Sequence, residues 1–167
     1  MSSYNLPSCP TLMTESNVVV RMIDAIVSRY ANATKGVPES ISTYQVCDSA
    51  MSLIKVYRHI YQLCYWTASA WDQSVRYDHS IKTLDGYRLA SLQMLLDLRH
   101  LLHNTNQKTL QYATLYHERT DSYLPFWYII NGPLSDILTH IGQINSWRRV
   151  AGHPCDQFSP LFGIVDG

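Results

Sequence analysis

Asp136 and His140 stand four positions apart in the run Asp136-Ile137-Leu138-Thr139-His140-Ile141-Gly142-Gln143. On a helix that spacing sends both side chains from one face toward a common point. A carboxylate oxygen and an imidazole nitrogen both bind divalent cations, but two donors one turn apart cannot close a coordination sphere. The third donor must come from another element, and His59, in an apolar helical stretch, is the leading choice. Two imidazole nitrogens and one carboxylate leave open positions on an ion, the arrangement of a reactive site rather than a purely structural one. An ion so held lowers the pKa of a bound water toward neutrality or holds a substrate thiol as thiolate. The donor set admits zinc, nickel, iron(II) or manganese.

Each of these residues also has a plainer explanation. Asp136 follows Pro133 closely, in what reads as the first turn of a helix, where a carboxylate favours the amide-rich end of the dipole. Paired with His140 on an exposed face it contributes only about 0.2–0.5 kcal/mol. His59 suits a core histidine bonded to one of the twelve tyrosine hydroxyls. Gln143 fits either a group that orients a ligand or a helix-packing residue, and Gly142 suits close helix approach. His100 and His103 form a second pair at helical spacing, but polar neighbours favour an exposed helix end. His117, Glu118 and Asp121 fall near a loop that could reach the bundle end, while His79 and His153 have only loop-like surroundings.

Other chemistry finds little support. Cys64 lies one turn beyond Ile60 and suits packing. Arg148-Arg149 could meet an anionic substrate, yet cations near a helix C-terminus are expected for stability. The chain has no phosphate loop, dinucleotide fingerprint or Gly-x-Ser-x-Gly elbow.

The elements that must position the donors are helices. Val19, Met22, Ile23, Ile26, Val27 and Tyr30 recur at helical spacing, predicting a first helix from about Thr14 to Thr34, stopped by Gly36 and Pro38. Ser42-Thr43-Tyr44-Gln45 has the form of a capping box opening a second helix that runs to about Ala70. Its inward face reads Val46, Ala50, Leu53, Val56, Tyr57, Ile60, Leu63 and Cys64, with His59 beside the stripe. The polar stretch 72–83 reads as a loop, and Leu84 through Leu102 mark a third helix that weakens at Asn104-Thr105-Asn106. A short helical piece near Leu110 to Tyr116 and a turn over Asp121 to Pro125 follow. Asn131-Gly132-Pro133 then opens the last long helix, which Gly152 and Pro154 end. No segment alternates like a strand, so the expected fold is an all-α four-helix bundle, a single domain over residues 1–167.

Composition narrows the function classes. Thirteen basic residues against thirteen acidic ones leave no net field toward phosphate backbones or anionic lipid, which argues against nucleic acid and membrane surfaces. Only 16% of residues are charged, which suits a surface partly covered by another subunit or rich in Tyr and Ser. No export signal is visible and the longest apolar runs are too short to span a bilayer, so a soluble cytoplasmic protein is expected. Cys9, Cys47, Cys64 and Cys155 are scattered, which suits reduced thiols.

The run His140-Ile141-Gly142-Gln143-Ile144, reached after a long His-bearing second helix, resembles the DinB-like or YfiT-like superfamily of metal-binding four-helix bundles. There the last helix carries a His-x-x-x-His pair before an x-Gly-Gln stretch, and a third His comes from the second helix. His140 matches the second member of that pair and His59 suits the second-helix position, while Asp136 stands where the first His is expected. The stretch from Pro125-Phe126-Trp127 through Asn131-Gly132-Pro133 to Arg148-Arg149-Val150-Ala151-Gly152-His153-Pro154 looks like a branch in which the Asp is usual. The resemblance implies an up-down-down-up bundle, a homodimer, and one divalent ion, zinc or nickel ahead of iron or manganese, held by His59, Asp136 and His140. It also implies hydrolysis or thiol transfer on a small molecule. The rival reading is a non-catalytic bundle whose His-Asp pair is structural and whose aromatic surface mediates association.

Overall fold

The computed structural model describes Tyr4, residues 6–103 and residues 110–155. Four long helices carry the fold: α1 (Glu15–Thr34), α2 (Leu53–Ser69), α3 (Leu84–His103) and α4 (Ser135–Val150). Their apolar stripes meet in one core in which Ile23, Ile26, Leu53, Ile60, Leu92, Leu95, Ile137 and Ile144 are buried. The helical periodicity of the sequence thus becomes the packing that stabilises the helices.

Side-chain contacts fix the helix directions. Arg88 Nε, near the start of α3, donates to Thr34 Oγ1 at the end of α1, and Arg99 near the end of α3 is ion-paired with Asp24 farther back along α1. Those helices are therefore antiparallel. Tyr57 in the first turns of α2 packs edge-on against Tyr30 near the end of α1, so α2 runs with α3. Arg148, near the end of α4, donates from Nη1 to the Ala33 carbonyl at the end of α1, so α1 and α4 run together. The bundle is wound up-down-down-up, as expected. Parallel α2 and α3 demand a return connection, and the 70–83 segment supplies it: Tyr77 packs edge-on against Tyr65 and tilted against Tyr61, while Tyr61 Oη accepts from the Asp78 amide.

Helix ends explain several departures from the expected boundaries. Thr14 caps α1, its hydroxyl accepting from the Asn17 amide. The expected capping box at Ser42 does not open α2, which starts at Leu53. Instead the Tyr44 and Ser42 carbonyls accept from the Leu53 and Ile54 amides, so the preceding loop satisfies the orphan donors with its backbone. Val46, expected inward, is exposed in that loop. The same linker reaches α3, where Glu39 Oε2 accepts from the Leu84 amide.

An antiparallel hairpin, β1 (Thr114–His117) and β2 (Ser122–Pro125), replaces the expected helical piece and turn before α4. Strands this short leave too few alternations to read. The expected weakening at Asn104-Thr105-Asn106 lies outside the described residues. Pro133 does not open α4 either: a helical run extends from Phe126–Ile129 through a π-turn at Ile130–Leu134 into α4, with Pro133 buried inside that turn. Proline has no amide for the α-pattern and its ring crowds the preceding turn, and a wider i→i+5 turn accommodates both. Among the described residues no helix is long and apolar enough to cross a membrane.

Candidate metal centre

His59 sits on α2 between the buried Val56, Ile60 and Leu63 and a more open flank, and it remains half-buried. Asp136 and His140 lie one turn apart on α4, the carboxylate half-exposed and the imidazole buried among Ile137, Ile141 and Ile144. The two helices bring all three together. His59 Nε2 lies 3.4 Å from Asp136 Oδ2, and His140 Nε2 lies 3.5 Å from the same oxygen. The imidazole rings meet edge-to-face with centroids 4.7 Å apart. One donor atom from each residue falls within 4.8 Å of the others, and this is the one such group of His, Cys, Asp or Glu among the described residues.

These distances bear on what the cluster is for. A charge-assisted N–H···O hydrogen bond closes to about 2.7–2.9 Å, so both contacts are long for a structural His-Asp pair. Donor atoms at tetrahedral angles on an ion with bonds of about 2.0–2.2 Å lie about 3.3–3.6 Å apart. The nitrogen–oxygen separations fall in that interval, and the donors are types that zinc, nickel, iron and manganese accept. The donor types and the two nitrogen–oxygen separations therefore suit a divalent ion.

The helix-dipole explanation of Asp136 fails on the backbone. Leu134, just before α4, is itself helical, and the run continues back through the π-turn, so Asp136 does not stand at a free, amide-rich end. Gln143 completes the face, its Oε1 2.7 Å from His140 Nδ1. Gly142 does not permit close helix approach, because a Cβ built there meets no atom within 4 Å.

The other candidates are placed elsewhere. His100 and His103 are exposed in the last turn of α3. His117 Nδ1 engages Thr120 Oγ1 at the hairpin end, and Asp121 accepts from the Tyr116 hydroxyl. His79 packs on Tyr77, and the His153 carbonyl accepts from Arg148. Arg148 is buried and fully engaged with the Ala33, His153 and Pro154 carbonyls, so it is a structural tie and not an anion receptor. Cys64 is buried in the core, and burial pushes its thiol up to about 12, which fits packing and not nucleophilic chemistry. A cavity of about 300 Å³ lies between α2 and α3, lined in part by Tyr61, Ala68 and Leu98. Tyr61 and Ala68 lie about 200° and about 180° around α2 from His59, so this cavity faces away from the donors.

No protein-family model matches the sequence, and no curated protein matches it. The fold has a solved counterpart: YfiT from Bacillus subtilis, described as a probable metal-dependent hydrolase with an unusual four-helix bundle topology, superposes with a TM-score of 0.64. The match covers 87% of this chain and 94% of that one at 12% identity. The chain has the YfiT-like fold. At that identity the likeness establishes architecture alone, and it agrees with the up-down-down-up order that the contacts of α1 to α4 define. Within the YfiT-like bundle of this chain, the His59, Asp136 and His140 cluster spans α2 and α4, where side chains from facing helices can converge.

Proposed function

We propose that this chain binds one divalent metal ion through His59 Nε2, Asp136 Oδ2 and His140 Nε2 and acts as a metal-dependent hydrolase on a small molecule. The observation that carries the reading is the convergence of two imidazole nitrogens on one carboxylate oxygen, at 3.4 and 3.5 Å. That spacing suits a shared cation better than a hydrogen-bonded pair, and so disfavours the non-catalytic alternative. When bound, the ion supplies Lewis-acid polarisation and a water whose pKa falls toward neutrality.

The chain's own residues divide the remaining work. His140, buried at 6% exposure, anchors the cluster on the core side, and Asp136 and His59 form its more accessible rim. The carboxylate neutralises one of the two positive charges and leaves the assembled centre cationic, which favours an anionic or strongly polar substrate group. Hydrolysis has priority over thiol transfer because the solved bundle of the same fold is described as a probable hydrolase. Zinc and nickel come ahead of iron and manganese as the resident ion.

Calorimetric titration of chelator-treated protein with zinc and nickel tests the reading. The expected result is one ion per chain, lost in His59→Ala and in His140→Ala while the helical circular dichroism is unchanged. Wild-type uptake by both variants would overturn the assignment. A panel of small esters, amides and thiol acceptors, assayed with and without the ion, separates hydrolysis from transfer.

A further inference from the structure

We propose that Gln143 is a positioning residue that holds His140 as its Nδ1–H tautomer, so that the Nε2 lone pair faces Asp136 and His59. The proposal rests on the metal reading for its purpose, although the tautomer is a property of the metal-free protein.

A neutral imidazole carries one N–H, and acceptors stand at both of its nitrogens in His140. Gln143 Oε1 lies 2.7 Å from Nδ1, while Asp136 Oδ2 lies 3.5 Å from Nε2. The first is a full-strength hydrogen-bond length and the second lies beyond the ordinary N–H···O range. The proton therefore belongs on Nδ1. Burial sharpens the choice, because little water reaches a ring at 6% exposure to satisfy an Nδ1–H left without Gln143.

The arrangement follows from helix spacing. Asp136, His140 and Gln143 occupy i, i+4 and i+7 of α4 and share one face, so the ring lies between its two acceptors with no contribution from another element. Without the carboxamide, Asp136 would become the better acceptor and draw the proton to Nε2. A ring in that state must lose or relocate its proton before Nε2 can bind a cation. Gln143 is also uncharged, so it directs the proton without adding a second negative charge to the centre. Acceptors of this kind behind a ligating histidine are worth about 10–100-fold in metal affinity.

The test reads the tautomer by two-dimensional 15N–1H correlation of the imidazoles in metal-free protein at about pH 8. Wild type and Gln143→Glu, which keeps an acceptor oxygen, are expected to show His140 protonated at Nδ1. Gln143→Leu is expected to move the proton to Nε2, with thermal unfolding unchanged. Zinc affinity, measured by competition with a chromophoric chelator, should fall about 10–100-fold in Gln143→Leu and be largely retained in Gln143→Glu. A wild-type His140 protonated at Nε2, or a tautomer that does not change in Gln143→Leu, overturns the proposal. Failure of the wild type to take up zinc overturns the metal reading alone, since the tautomer is measured without metal.

Discussion

Asp136 is the residue on which the two readings of the cluster diverge most. A structural partner for His140 would close toward the ring, whereas a ligand keeps its distance and shares one oxygen with both imidazoles, as Oδ2 does. Asp136→Ala should therefore lower zinc affinity by more than about 100-fold, beyond what loss of an outer partner costs, with little change in unfolding temperature. Asp136→His restores a His-x-x-x-His pair on the same helical face and should retain binding, measured by the same chelator competition. A destabilised Asp136→Ala that still bound zinc normally would mark the aspartate as structural. The pairing of Asp136 with His140 was legible in the sequence because the i, i+4 relation is local. His59 was chosen for its apolar helical stretch and for the second-helix position the resemblance expects, because no local pattern sets the register of α2 against α4. The ion pair of Asp24 with Arg99, 75 residues apart, left no local signal at all.

At the scale of elements, sequence reading succeeded where a segment is long and periodic. α1 matched to within a residue because its apolar stripe and Thr14 cap agree. The start of α2 was misjudged because Ser42 carries the chemistry of a cap but lends its carbonyl, and a distant carbonyl pair is invisible to a local pattern. The π-turn at Ile130–Leu134 escaped because Pro133 reads equally well as a helix start, and the hairpin because four-residue strands show too little alternation. Two glycines of the last helical stretch give opposite predictions. Gly152 adopts φ +81° after α4, where its amide donates to the Arg149 carbonyl and the following His153 amide to Arg148. Gly152→Ala should destabilise the fold by about 1 kcal/mol. Gly142 is mid-helix with open space around its Cβ position, so Gly142→Ala should stabilise by about 0.8–1 kcal/mol. Urea midpoints check both. Equal effects from the two would refute the backbone argument.

Across the whole molecule, the buried core carries groups whose titration couples to folding. Burial raises the Cys64 thiol to about 12 and raises the Tyr30 and Tyr57 hydroxyls above their usual value. The folded chain therefore keeps protons that the unfolded chain releases from about pH 8.5 upward, so the contribution is present below that pH and lost as pH rises toward the folded values. The urea midpoint should fall steadily between about pH 8 and about pH 11, and Cys64 should resist thiol reagents that modify exposed Cys9 and Cys47. We propose that the expected homodimer forms through the hairpin: Tyr112, Tyr123 and Trp127 are about 70% exposed on and around it, and a covered aromatic face would account for the low charge content. Sedimentation at micromolar concentration should give the mass of a dimer, and a monomer throughout that range would contradict it.

On the reading proposed, His59, Asp136 and His140 hold an ion. Elemental analysis of untagged protein purified without chelator tests it most directly. Near-stoichiometric zinc or nickel, with iron or manganese as lesser alternatives, is the predicted result. Protein that arrives without a divalent metal and fails to take one up when zinc, nickel, iron(II) or manganese is added would contradict it.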